Sequence, residues 1–189
     1  MRIVFMGTAE FGLPSLERLL HSSHSVEAVV TGPDRPKGRG LKLAPSPIKV
    51  FALERGLTVL QPEKLKDEEF ISTLRGLRPD LFVVVAFRML PKEVFEIPPK
   101  GTINLHGSLL PRYRGAAPIQ WAIIRGERRT GVTTFFIDEG MDTGNLILQR
   151  EVEIGDDETA GQLHDRLAQI GAEVLMEPVE QIAQGKAAQ

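Results

Sequence analysis

The stretch LFVVVA, residues 81–86, decides the fold. Six apolar residues in a row, three of them β-branched and none alternating with a polar neighbour, describe a strand covered on both faces, as in a parallel sheet. Such a strand belongs at the centre of the sheet. Toward the N-terminus, residues 2–6 read as a second buried strand ended by Gly7, and residues 11–20 carry helical spacing with Leu13, Leu16 and Leu20 on one side. Residues 26–31 predict a further strand. A long extended loop follows, rich in glycine and proline from Gly32 to Pro47. Residues 48–54 then predict a short helix, 57–60 a short strand and 68–77 another helix. On the C-terminal side, residues 102–105 predict a strand and 119–124 a helix. Residues 132–137 and 146–154 predict two late strands, with the turn-like EGMDTGN between them. Thr159, with Gln162 three residues on, suits a capping box, and Leu163, Leu167, Ile170 and Val174 trace one face of the helix it opens. Pro178 is expected to kink or interrupt that helix. The order of elements predicts an α/β chain: a Rossmann-like open, mostly parallel sheet with flanking helices and right-handed crossovers, to which a strand pair is added late.

The 189 residues suit one domain, and 42% hydrophobic against 25% charged residues is enough apolar material for a core. Lys and Arg number 23 against 25 Asp and Glu, so overall positive charge is excluded as a source of nucleic-acid affinity. Only a local patch remains, and one is present. In DRPKGRGLKLAPSPIK, Arg35, Lys37, Arg39, Lys42 and Lys49 stand against Asp34 alone. On an exposed, partly mobile loop these charges suit pairing with a phosphate backbone without reading bases; the plain alternative is a solvated loop. The absence of cysteine excludes disulfides, thiolate metal centres and cysteine nucleophiles. No apolar run reaches the roughly 18 residues of a membrane span, and the start does not read as a secretion signal, so a cytoplasmic setting without membrane contact is expected.

Two glycine and polar motifs remain. GTAEFG, residues 7–12, lacks the G-x-G-x-x-G of dinucleotide sites and reads first as a tight strand-to-helix turn. Asn104 and His106 alternate in NLH at a strand end, so both side chains face the crevice where open α/β sheets place their sites. Asp142, in GMDTG, lies on another loop within reach of the same crevice, where it would hold or charge-stabilise the imidazole. Asn, His and Asp without a Ser or Cys nucleophile suggest acyl transfer by direct attack of an amine on a carbonyl. Asn104 and protonated His106 would then stabilise the oxyanion, and Asp142 would take or relay the amine's proton. Ser108 has neither the nucleophile-elbow motif nor an evident base and reads as structural. The four histidines form no H-x-x-x-H pair, so no metal is expected. His164 reads as a surface residue on the last helix, and Tyr113 and Trp121 as packing or loop-anchoring groups.

Taken together, FMGTAEFGLPSL, PKGRGLKLAPSPIKVFA, VVVAFRMLP, INLHGSLLPRYRGAAPIQWAI and FIDEGMDTGNLI give the chain an end-to-end resemblance to the formyltransferases that use 10-formyltetrahydrofolate. HGSLLPRYRGAAPIQ is specific to that superfamily. The AAPIQ ending and the basic loop favour the branch whose acceptor is methionyl initiator tRNA. The resemblance implies that Asn104, His106 and Asp142 are the catalytic trio and that the folate donor's pterin sits near Phe87, Arg88, Met89, Leu90 and residues 138–142, including Asp138 and Gly140. It implies further that Ser108, Leu109, Leu110 and Pro111 help bind the folate, and that Arg35, Lys37, Arg39 and Lys42 approach the acceptor end of the tRNA. A monomer without metal is expected. Residues 1–189 would be the catalytic domain alone, without the smaller β-barrel domain that usually follows in the family. Phe87-Arg88 replaces the family's common Tyr-Gly, which bears on donor affinity. The rivals are formyl transfer to a sugar-nucleotide amine, hydrolysis of the same donor, and an RNA-binding module in which Asn104 and His106 only satisfy loop backbone.

Overall fold

The computed structural model describes residues 1–187. Its elements run β1 (Arg2–Met6), α1 (Leu13–Leu20), β2 (Ser25–Val30), β3 (Arg35–Lys37), β4 (Lys42–Ala44), α2 (Pro47–Glu54), β5 (Val59–Leu60), α3 (Glu68–Gly76), β6 (Leu81–Val85), α4 (Lys92–Phe95), β7 (Thr102–His106), α5 (Pro118–Ile124), β8 (Arg129–Phe136), β9 (Leu146–Glu153) and α6 (Ala160–Ala183). Seven strands form one sheet in the order β5-β2-β1-β6-β7-β8-β9. β6 is its middle strand, and all five of its side chains are buried, as the unbroken apolar run requires. The strands from β5 to β7 are parallel; β8 runs antiparallel to β7 and β9 antiparallel to β8.

The period of two along each strand sorts side chains into two cores. Ile3 and Phe5 of β1 join Leu81, Val83 and Val85 of β6 against α1, α2, α5 and α6. Val4 and Met6, with Phe82 and Val84, pack on the other face against Phe70 and Leu74 of α3 and Val94 and Phe95 of α4. A helix layer thus lies on each side, which is why the central strands show no polar alternation. After β1 the chain moves outward through β2 and β5, then returns to place β6 on the other side of β1. The carboxyl ends of β1 and β6 therefore diverge at a topological switch point, where open α/β sheets form a crevice.

Gly7 stands at that point because the backbone is too close for a side chain: a Cβ would lie 2.6 Å from the Val85 carbonyl oxygen. Gly171 does the same for α6, where a Cβ would come within 2.7 Å of Leu105 Cδ2, so the helix lies directly against β7. The Thr159 hydroxyl accepts from the Gln162 amide while the Gln162 side chain accepts from the Thr159 amide, the expected reciprocal cap.

Two expectations are corrected. The basic segment is no irregular loop: Arg35–Lys37 and Lys42–Ala44 pair as an antiparallel ribbon separate from the main sheet. Its charge and its proline hide the strand signal, and its pairing is made by the turn at Gly38 and Gly40, both at positive φ. Pro178 also does not interrupt α6, which continues to Ala183. One backbone donor is lost there, but Val174, Leu175, Val179 and Ile182 around it are all buried, and that packing holds the helix together across the gap.

Candidate active site

A cavity of about 490 Å³ opens at the switch point. Its floor is the carboxyl ends of β6 and β7, with Val84, Ala86, Asn104 and His106; its walls are Phe87–Leu90, the 115–120 segment leading into α5, the 137–142 loop after β8, and Phe11 and His164. The register of β7, with Val84 opposite Asn104 and Thr133 opposite His106, sets both polar side chains on one face, and Leu105 between them turns the other way into the core against α6.

The structure brings Asn104, His106 and Asp142 together, although Asp142 comes from a different loop. His106 is nine-tenths buried, and its Nε2–H donates to the Tyr113 carbonyl at 2.8 Å. A carbonyl only accepts, so this bond assigns the Nε2 proton and leaves Nδ1 to face Asp142, whose Oδ2 is 3.7 Å away. That separation is an ion-pair distance and too long for a hydrogen bond. The same oxygen accepts the Gly115 N–H at 2.7 Å, which fixes the carboxylate in place with Asp142 itself at positive φ. The Asn104 amide has no hydrogen-bond partner among the described residues, so its donors are free for a ligand.

Tyr113 is a loop anchor as expected. Its hydroxyl donates to Glu127 at 2.7 Å, and this bond is the main cause that pushes the phenol above its ordinary pKa. Trp121 is not a packing group: it is half exposed on α5.

Of the residues expected at the donor site, Phe87, Arg88, Met89, Leu90, Asp138 and Gly140 line the cavity. Arg88, however, turns its guanidinium away toward the segment after β5, donating to the carbonyls of Pro62 at 2.7 Å and Glu63 at 2.9 Å. Burial, with the charge of Arg35 nearby, holds its pKa below the ordinary guanidinium value. Asp138 Oδ1 accepts both the Gly140 amide and the Thr143 hydroxyl, bracing the 138–143 loop from within.

Ser108, Leu109, Leu110 and Pro111 do not line this cavity, against expectation. The Ser108 hydroxyl, fully buried, donates to the Arg112 carbonyl at 2.6 Å, as suits a structural serine. The Leu110 amide is taken by Thr133, whose own hydroxyl donates to the Ser108 carbonyl. These groups form the wall behind the site and have little left to offer a ligand.

Sequence reasoning missed His164. Rather than standing on the surface, it lines the cavity, its ring edge-on to Phe11 at 5.5 Å. Its place on α6 gave no sign, because the packing of α6 beside the Glu10–Gly12 turn, which sets it against Phe11, is tertiary. The basic residues Arg35, Lys37, Arg39 and Lys42 do not line the cavity; they form the outlying ribbon. Asp34 at its base receives Gln61 and Lys49, bonds that lower its pKa below the usual carboxylate range. Among the described residues no group of His, Asp and Glu is arranged to hold a metal ion, and no helix is long and apolar enough to cross a membrane.

Comparison with known proteins shows the family. The sequence profile of the family described as Formyl transferase matches residues 1–179. A methionyl-tRNA formyltransferase of Acetivibrio thermocellus is 60% identical over 183 residues, 96% of this chain and 59% of that protein. One from Ruminiclostridium cellulolyticum is 55% identical over 186 residues, 98% of this chain and 60% of its own. The chain thus spans about three fifths of the length of these curated relatives. Among solved structures, a phosphoribosylglycinamide formyltransferase from Anaplasma phagocytophilum superposes with a TM-score of 0.81 at 25% identity, covering 98% of this chain and 88% of its own.

Proposed function

Because the chain belongs to the formyl transferase family, we propose that it moves a formyl group from 10-formyltetrahydrofolate to the α-amine of methionyl initiator tRNA, using Asn104, His106 and Asp142. The observation that carries the reading is the convergence of those three side chains on one cavity, together with relatives above half identity that bear that name.

The amine nitrogen attacks the formyl carbon bound to N10 of the folate. The carbonyl π electrons move to oxygen, and the oxyanion is met by the Asn104 amide and the His106 imidazolium. The nitrogen that attacked must lose a proton, and Asp142, held by the Gly115 amide, accepts it. The C–N10 bond then breaks as the oxyanion re-forms the carbonyl, N10 takes up a proton, and formyl-methionyl-tRNA and tetrahydrofolate leave. The Tyr113 carbonyl keeps the imidazole turned so that Nδ1 stays beside Asp142. No covalent enzyme intermediate is required, which agrees with the structural role of Ser108.

Phe87–Leu90 and the 137–142 loop are the proposed donor walls, and the ribbon carrying Arg35, Lys37, Arg39 and Lys42 the tRNA contact, in a cytoplasmic setting. Arg88 fits beside the donor because its guanidinium is engaged with Pro62 and Glu63 and does not occupy the cavity.

The test is formyl transfer with 10-formyltetrahydrofolate and methionyl initiator tRNA, run beside His106→Ala and a small-amine acceptor. Formyl-methionyl-tRNA made by the parent, and made about 10²–10³-fold more slowly by the variant, is expected. Donor turnover without tRNA formylation would instead move the acceptor to a sugar amine or to water.

A further inference from the structure

Arg88 stands where the cavity meets the root of the ribbon. It follows β6 at the cavity rim, and its guanidinium turns outward to the carbonyls of Pro62 and Glu63. Gln61, just before that pair, bonds the other way: its side-chain amide donates to the Gly32 carbonyl at 3.1 Å and to the Asp34 carboxylate at 2.8 Å. Three consecutive residues thus hold Arg88 on one side and the start of the ribbon on the other. Arg35, the first ribbon residue, is close enough that its charge adds to burial in lowering the Arg88 pKa.

Neither cation has a carboxylate partner among the described residues. Arg35 is exposed and forms no ion pair, Asp34 beside it is taken by Lys49 and Gln61, and Glu63 offers Arg88 only its carbonyl. Arg88 spends one N–H on each of its two carbonyl bonds, which leaves three of the five donors of a guanidinium uncommitted. Like charges held side by side favour an anion between them, and a planar fork with donors to spare suits phosphate. We propose that Arg35 and Arg88 share one phosphodiester of the acceptor's single-stranded 3′ end, where that strand leaves the ribbon and turns into the cavity. The proposal rests on the reading that the acceptor is a charged tRNA. Such an acceptor has to touch both the ribbon and the crevice of Asn104, and Arg88 is the one Lys or Arg among the described residues that line the cavity. Its guanidinium faces the ribbon root, so it serves what arrives from that side.

The test compares two small acceptors, 3′-O-methionyl-adenosine, which carries no phosphate, and the methionylated trinucleotide CCA, which carries phosphodiesters. For the parent, kcat/KM is expected to favour the trinucleotide by about five-fold, the scale of one exposed charge pair. Arg88→Gln and Arg35→Gln should each remove most of that preference, and R35Q/R88Q should remove no more, because both residues act on one phosphate. Each ratio is taken within one protein, so effects on donor binding or folding cancel. A parent without the preference, or Arg88→Gln that keeps it, overturns the proposal; so does a double variant whose loss is the product of the two single losses. Weakened binding of a donor analogue by Arg88→Gln with the preference intact would assign the guanidinium to the donor. If neither small acceptor is formylated, the salt dependence of initiator-tRNA affinity decides: its slope should fall by about 0.7 in Arg88→Gln, and an unchanged slope overturns the proposal. A parent that turns over donor but neither binds nor formylates the tRNA would bring down the acceptor reading itself, and this proposal with it.

Discussion

At residue 106 the site depends on a backbone oxygen. The Tyr113 carbonyl accepts the hydrogen bond from Nε2–H and so determines which nitrogen faces Asp142, and Tyr113 is in turn tied through its hydroxyl to Glu127. His106→Ala should lower kcat by about 10²–10³-fold, the usual cost of one oxyanion donor, with little change in donor Kd; single-turnover transfer beside direct donor binding separates the two. Unchanged turnover would remove His106 from the chemistry. Thr133 has a comparable load in the wall behind. Its hydroxyl donates to the Ser108 carbonyl at 2.7 Å and accepts from the Leu110 amide at 3.1 Å and the Gln149 amide at 3.0 Å. Thr133→Val keeps the shape and strands the Ser108 carbonyl and the Leu110 amide, while Gln149 keeps its bond to the Leu110 carbonyl, so denaturant unfolding should show a loss of about 2–3 kcal/mol. A loss near zero would mean the partners find one another without it.

At the scale of elements, the β3–β4 ribbon separates acceptor contact from chemistry. Replacing Arg35, Lys37, Arg39 and Lys42 by alanine should weaken tRNA association and flatten its dependence on salt, while donor binding holds; titrations at several salt concentrations check this, and equal losses of both would point to unfolding. The ribbon also marks where sequence reading stopped. The central strands were legible because two-sided burial leaves an unmistakable apolar run in LFVVVA, and the Thr159 cap because its partner is three residues away. Arg35–Lys37 and Lys42–Ala44 were not legible, since strands that pair only with each other in solvent have no apolar face to show. Within the site, Asn104 and His106 were readable from strand alternation. His164 was not, because its nearness to Phe11 is a property of how α6 docks and leaves no trace in helical periodicity. Pro178 misled for a related reason: a local rule was overridden by burial on both sides of it.

For the whole molecule, acid stability follows the carboxylates that fasten the last helix and the ribbon. Glu158, before α6, is bonded by Arg166 at 2.8 and 3.0 Å and by the Gly155 amide, and the Arg166 bonds are the chief cause that lowers its pKa below the ordinary 4.5. A depressed folded value means stability that is present above the unfolded glutamate pKa and is lost as pH falls through the folded one. Glu158→Gln should therefore lose less Tm than the parent when both are taken from neutral pH into that acid range; parallel slopes would show the contact to be idle. The docking of α6 has another consequence. The helix covers α1, β8 and β9 and supplies Leu163, Leu167, Val174, Leu175, Val179 and Ile182 to the same core as Ile3 and Phe5. A ribosome that has exposed only residues 1–159 has released the first strand with α1, α2 and α5 for that face but without α6, so vectorial synthesis leaves Ile3 and Phe5 waiting on residues far downstream. Until that helix emerges the nascent sheet keeps apolar surface exposed, a state that slows folding and favours aggregation.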